Sequence, residues 1–181
     1  MNKATEAAVF GGGCFWCTEA IFSSLKGVMR VTPGYAGGRT TRPTYQQVCA
    51  GTTGHAEVIK VEYDPIVIGF SDLLEVFFHT HDPTTANRQG NDIGEQYRSI
   101  ILYQNESQKE LAEQFIEKLN IAKEFEHPVV TQIRPLTEFY QAEEHHQGYY
   151  LSNAGQPYCQ MVIAPKLAKL RAKSDDSLKS S

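Results

Sequence analysis

Nowhere in the 181 residues do about eighteen apolar residues follow one another, so no segment reads as a membrane-spanning helix. Basic residues are outnumbered, 17 to 21, and form no stripe with interleaved aromatics, which argues against a nucleic-acid partner. No secretory leader is expected, since Lys3 precedes too short an apolar run, and a cytoplasmic location is expected with it. The spaced glycine fingerprint of nicotinamide and flavin sites is absent, because Gly34-Tyr35-Ala36-Gly37-Gly38 has the wrong spacing; no organic cofactor is expected. Nor is there a second close cysteine pair. Cys49 and Cys159 stand singly, so a four-ligand zinc site is disfavoured and no metal is expected. The run His79-Thr80-His81-Asp82 has ligand-like residues but lies at the end of an apolar helical pattern, and is set aside on that ground. No internal repeat is visible.

What is present is an acidic chain, formal charge −4, whose 41% hydrophobic content is enough for one substantial core. One catalytic domain is expected over residues 1–165, followed by a basic, then polar and partly disordered tail over 166–181. A monomer is expected. The four cysteines would stay reduced in such a compartment, so a disulfide among them reads as catalytic and transient.

The most informative run is Gly11-Gly12-Gly13-Cys14-Phe15-Trp16-Cys17. A thiol directly after a glycine turn and at the start of a helix faces unpaired N–H groups and the positive end of the helix dipole, which should lower its pKa. Cys14 is therefore the candidate nucleophile. Phe15 and Trp16 provide apolar surface beside it, and Cys17 completes a C-x-x-C pair able to cycle between dithiol and disulfide. Cys159 lies on a C-terminal segment taken as mobile; Cys49 sits in a short apolar stretch and is read as structural.

The hydrophobic pattern predicts a strand over 7–10, a helix over 14–25 and strands over 28–35 and 58–63. A helix capped by Ser71 and a strand over 97–103 follow. This β-α-β-β-α-β order predicts an α+β class: a two-layer, ferredoxin-like split βαβ sandwich with peripheral helices and an extended C-terminal segment. Further on, a capping box at Ser107–Glu110 opens a helix, a strand is expected over 129–133, and a helix over 141–151. From Lys166 the pattern suggests a surface helix running into the tail. In the split sheet the strand opened by Glu57 lies beside the one leading to Cys14, which brings that carboxyl toward the thiol. Burial would keep it protonated and suit it to proton donation. Tyr45, Asp92 and Tyr97 flank this region and could bind one polarised oxygen.

The motifs Gly13-Cys14-Phe15-Trp16, Gly34-Tyr35-Ala36-Gly37-Gly38, Pro43-Thr44-Tyr45, Thr53-Gly54-His55-Ala56-Glu57, Asp82-Pro83-Thr84, Arg88-Gln89-Gly90-Asn91-Asp92, Gln96-Tyr97-Arg98-Ser99, Phe139-Tyr140-Gln141-Ala142-Glu143 and His146-Gln147 together resemble the A-type peptide methionine sulfoxide reductases. The resemblance runs from about Val9 to Cys159. It implies reduction of the S epimer of methionine sulfoxide, free or in oxidised proteins, with Cys14 attacking sulfur and Glu57 protonating or hydrogen-bonding the oxygen. Tyr45 and Tyr97 would hold that oxygen, Phe15 and Trp16 would receive the methyl group, and Asp92 would position the substrate. The resulting sulfenic acid would be resolved by a second thiol and the disulfide reduced by thioredoxin. Cys159 matches the usual recycling position and is favoured over Cys17, because a mobile segment can reach bonding geometry without deforming a helical turn; a relay through both stays open. Rival readings are a thioredoxin-like disulfide oxidoreductase, a redox-independent hydrolase pairing Cys14 with His145 or His146, and a non-enzymatic binding module.

Overall fold

The first apolar run forms strand β1 (Glu6–Gly11), and the glycine turn after it delivers helix α1 (Phe15–Ser23). In this computed structural model, which describes residues 4–173 and 178–179, the chain continues through β2 (Val28–Ala36), α2 (Tyr45–Cys49), β3 (Ala56–Tyr63) and α3 (Phe70–Thr80). A small hairpin of β4 (Arg88–Gln89) and β5 (Asp92–Ile93) precedes β6 (Ile100–Tyr103) and α4 (Glu106–Ile121). Then come β7 (Gln132–Pro135), β8 (Phe139–Gln141), α5 (Tyr149–Asn153), a π-helical turn (Cys159–Ile163) and α6 (Ala164–Lys173).

Six strands make one mixed sheet in the order β7-β6-β1-β3-β2-β8. β1 runs antiparallel to both β3 and β6, β2 is antiparallel to β3 and β8, and β6 is parallel to β7. Strand alternation splits the interior in two. Ala8 and Phe10 join the main core with Phe22 of α1, Phe77 of α3, Ala112 of α4 and Leu167 of α6. Val9 points to the other side, into a smaller cluster with Ala36, Val58 and Ile100. No helix among the described residues is long and apolar enough to cross a membrane.

Several local expectations are corrected. α3 starts two residues early, with Gly69 as its N-cap in place of Ser71, because the Asp72 carboxylate accepts the Gly69 N–H at 2.8 Å. α4 is capped by Asn105, whose side chain accepts the Gln108 N–H at 2.9 Å, so the box at Ser107 does not form. The helix expected over 141–151 is divided into β8, a 3-10 turn at Glu144–His146 and α5. Pairing decides this: Phe139, Tyr140 and Gln141 are taken up by the edge of β2 opposite Ala36, Tyr35 and Gly34. The extended C-terminal segment is instead helical, and the Leu face of α6 is buried through Leu167 and Leu170. The disorder expected at the extreme end falls largely on 174–177 and 180–181, outside the described residues.

Candidate active site

The glycine turn lies so close to its neighbours that side chains are excluded from it. A Cβ on Gly12 would press on Phe77 and His81, and Gly13, at φ +92°, would meet the Gln89 side chain. This seating puts Cys14, half-buried, at the N-cap of α1. The first free amide of that helix, Phe15 N–H, donates to Glu57 Oε2 at 3.1 Å. The positive end of α1 is therefore spent on a carboxyl group.

Glu57 stands near the start of β3 opposite Tyr35 of β2 and is 1% exposed. Burial is the main reason its acid is pushed up to about 8; the Phe15 amide pulls the other way. At neutral pH it holds its proton, as expected from sequence. The expected lowering at Cys14 is not found. Burial, then the hydrogen bond with Cys17 and the charge of Glu57, raise that thiol well above its ordinary range. Cys17, one turn on, moves down to about 7, first because Cys14 donates to it, with Lys166 and Tyr158 adding to the effect against its own burial. The pair thus shares a proton and titrates as a unit.

Phenols surround the two thiols. Burial raises the pKa of Tyr45, Tyr97 and Tyr158, so each remains an O–H donor. Tyr158 Oη donates to Asp92 Oδ2 at 3.2 Å and lies 3.6 Å from Cys17 Sγ. Phe15 is fully buried and stacks toward Tyr45. Trp16 lies flat on Tyr149, ring centroids 3.7 Å apart and planes 7° from parallel. Cys14, Phe15, Trp16, Cys17, Tyr45, Glu57, Asp92 and Tyr97 consequently form one connected cluster of neighbouring side chains.

Sequence reasoning gave no role to Tyr35, Glu143, Tyr149 or Tyr158, and treated His146 as a rival catalytic base. Glu143 bridges two elements, accepting from Tyr35 Oη at 3.0 Å and from the Tyr45 amide at 3.3 Å. His146 accepts the Trp16 indole N–H on Nδ1 at 3.1 Å, so the ring serves the aromatic wall. Tyr35, Glu143 and His146 lie in runs that carry the family resemblance, and that was their one signal. The segment holding Cys159 is a helical turn, not a mobile loop: its sulfur is wholly buried, with Ile163 below it in the same core. Burial raises the Cys159 thiol, and after it the charge of Cys17. Cys49 is exposed rather than packed inside. His79 pairs with Glu75 and Glu124 at the surface, whereas buried His81 bonds Phe77 O and Ser99 Oγ, so these two do not converge on a common ligand.

Comparison with known proteins places this cluster in context. The family model for peptide methionine sulfoxide reductase matches residues 6–178. The peptide methionine sulfoxide reductase MsrA of Chromobacterium violaceum is 54% identical over 166 residues, covering 92% of this chain and 94% of that protein. Among solved structures, reduced Mxr1 from Saccharomyces cerevisiae superposes with TM-score 0.81 at 33% identity, covering 88% of this chain and 91% of that one. Mxr1 in complex with Trx2 matches with TM-score 0.59 at 26% identity, over 82% and 87% of the two chains.

Proposed function

The chain belongs to the peptide methionine sulfoxide reductase family, oxidoreductases acting on methionine sulfoxide, and within that chemistry we propose that it reduces the S epimer through Cys14, Glu57 and a thiol relay. The observation that carries this is the protonated Glu57 carboxyl tied to the amide of Phe15, the residue immediately after Cys14. An acid and a sulfur nucleophile then sit on the same helix end. The order β6-β1-β3-β2, all antiparallel and linked by α1 and α3, supports the finer description of the core as ferredoxin-like.

Cys14 attacks the sulfoxide sulfur, passing its proton to Cys17 along their hydrogen bond, while Glu57 gives its own proton to the sulfoxide oxygen, which Tyr45 and Tyr97 hold by donation. The oxygen then passes as hydroxyl from the substrate sulfur to Cys14 Sγ while the S–O bond and the newly formed S–S bond break, so methionine leaves reduced and Cys14 carries the oxygen as a sulfenic acid. A second thiol displaces that oxygen as water and forms a disulfide. The hydrogen bond between Cys14 and Cys17 supports Cys17 as the first resolving thiol, with Cys159 next in line through its proximity to Cys17. Thioredoxin restores the thiols by exchange, a reading supported by the complex of Mxr1 with Trx2. The methyl group rests on Phe15 and Trp16. Epimer choice follows, since donors fix the oxygen on one side and apolar rings fix the methyl on the other. We propose a cytoplasmic monomer that repairs oxidised proteins.

One experiment tests the whole reading: single turnover of the reduced protein with separate S and R epimers, without reductant, followed by mapping of disulfides. One methionine per chain from the S epimer alone, with a Cys14–Cys17 bond in Cys159→Ser and a Cys17–Cys159 bond in the wild type, is expected. A Cys14–Cys159 bond in the Cys17→Ser variant at the wild-type rate would remove Cys17 from the path, and absence of methionine would reject the reductase reading.

A further inference from the structure

His146 is 2% exposed, and among the described residues its Nε2 is the buried side-chain nitrogen or oxygen without a hydrogen-bond partner. Its other nitrogen settles the ring's chemistry. An indole N–H can only donate, so Nδ1, 3.1 Å from Trp16 Nε1, must present a lone pair. A neutral ring then carries its proton on Nε2, which points toward Glu143 Oε2 across 3.9 Å, beyond hydrogen-bond length.

This tautomer also disposes of a metal. Glu143, His145 and His146 bring ligand atoms within 4.8 Å of one another. A cation on Nε2 would displace its proton while Nδ1 still accepted from Trp16, leaving an imidazolate, whereas ligating histidines donate through their second nitrogen. The cluster serves the rings instead. His146 packs on Trp16 at 5.7 Å, on Phe15 at 5.3 Å and on Tyr45 at 4.4 Å between centroids.

Trp16 is thus held by Tyr149 against its face, by Tyr158 edge-to-face at 6.0 Å between centroids, and by one hydrogen bond, to His146. The flat stack on Tyr149 fixes the plane of the indole but resists sliding or turning within that plane only weakly. The edge contact to His146 is directional and selects one orientation. We propose that His146 is a positioning residue that sets substrate specificity: through its Nδ1 lone pair it locks the Trp16 indole and so fixes the width of the pocket that receives the S-methyl group. The proposal rests on the assignment of Trp16 to the methyl side, made above.

Trp16 is the one tryptophan of the chain, so indole emission reports on the surroundings of this ring alone. The test compares wild type with His146→Asn, whose Oδ1 can replace Nδ1 as acceptor, and His146→Phe, which keeps a ring but no acceptor. His146→Leu, also without an acceptor, is measured alongside and substitutes for the Phe variant should that one misfold. The expected result is a shift of emission to shorter wavelength in Phe and Leu. In those variants the ratio of kcat/KM for methionine S-sulfoxide over ethionine S-sulfoxide should fall by about tenfold, chiefly through a higher KM for the methyl substrate. His146→Asn should recover most of both. Unchanged emission and ratio in the Phe and Leu variants would overturn the proposal, as would equal losses of kcat in all variants at constant ratio. If wild type reduced neither sulfoxide, the reductase reading would fail, while the emission comparison would still decide whether His146 holds Trp16.

Discussion

Cys14 and Cys159, the two ends of the proposed thiol path, occupy opposite surroundings. Cys14 is half-buried on a turn that glycine keeps free of side chains, beside an acid and a ring of phenols. Cys159 is sealed inside a helical segment whose next turns, at Ile163, Leu167 and Leu170, belong to the core. One end is arranged to meet a substrate; the other must move before a second protein can touch it. The difference teaches that, on the proposed path, chemistry on the sulfoxide and return to the reduced state fall to separate parts of the fold, with Cys17 between them.

The largest expected effect acts on the open end. Glu57→Gln removes the proton donor while keeping the shape, and should slow methionine release in a single turnover by roughly 10²- to 10⁴-fold. The wild-type rate should fall as pH rises through about 8, where Glu57 loses its proton, and the variant should lack that limb. Stability gives a second reading. Between the ordinary glutamate value of 4.5 and about 8 the folded chain keeps a proton that the unfolded chain has released, so Glu57 weakens the fold progressively as pH climbs through this window. Denaturant titrations of Glu57→Gln should show that decline flattened.

Ile163→Ala acts on the closed end. Opening a cavity at a fully buried site should cost about 2–5 kcal/mol in chemical denaturation. Alkylation of Cys159 should become faster and that of Cys14 should not. Equal acceleration at both thiols would dissolve the distinction between the two ends. The smallest effect concerns Tyr45, which follows the Thr44 cap of α2; Thr44 accepts the Gln47 amide, and the Gln47 side chain accepts the Thr44 amide. Thr44→Ala should cost about 1 kcal/mol, read by thermal unfolding, with KM for the sulfoxide raised less than threefold by looser placement of the phenol, as about 0.6 kcal/mol corresponds to that factor.

What sequence reasoning reached and missed follows from the range of the interactions. The strand-turn-helix unit at Cys14 and the adjacency of Glu57 are written in local alternation and in glycine, so both were legible. Edge strand β8 has three residues and exists through its pairing with β2, far away in sequence, so no period could reveal it. The cap at Asn105 is masked by Ser107, a second polar side chain within one turn, and the cap at Gly69 is masked because glycine has no capping side chain to read. The pairs Trp16 with His146 and Tyr35 with Glu143 join residues more than a hundred positions apart, and spacing says nothing about them. For Cys14 only the direction of its pKa differs from expectation, because the dipole of α1 is visible in a sequence, whereas the burial that outweighs it is not.

Helix α5 begins at Gly148, in the left-handed region at φ +62°, with no capping side chain of its own; the Gly148 N–H is received at 2.7 Å by Glu19, from the middle of α1. Five residues are too few to sustain a helix in water. The consequence belongs to local unfolding: α5, with Tyr149 over Trp16, forms a cooperative unit that exists while α1 holds its first turn. Amide exchange across 149–153 should therefore follow the opening of α1. An aromatic wall that borrows its persistence from the helix capped by Cys14 opens together with that helix, so the candidate site is complete only when the fold beneath it is.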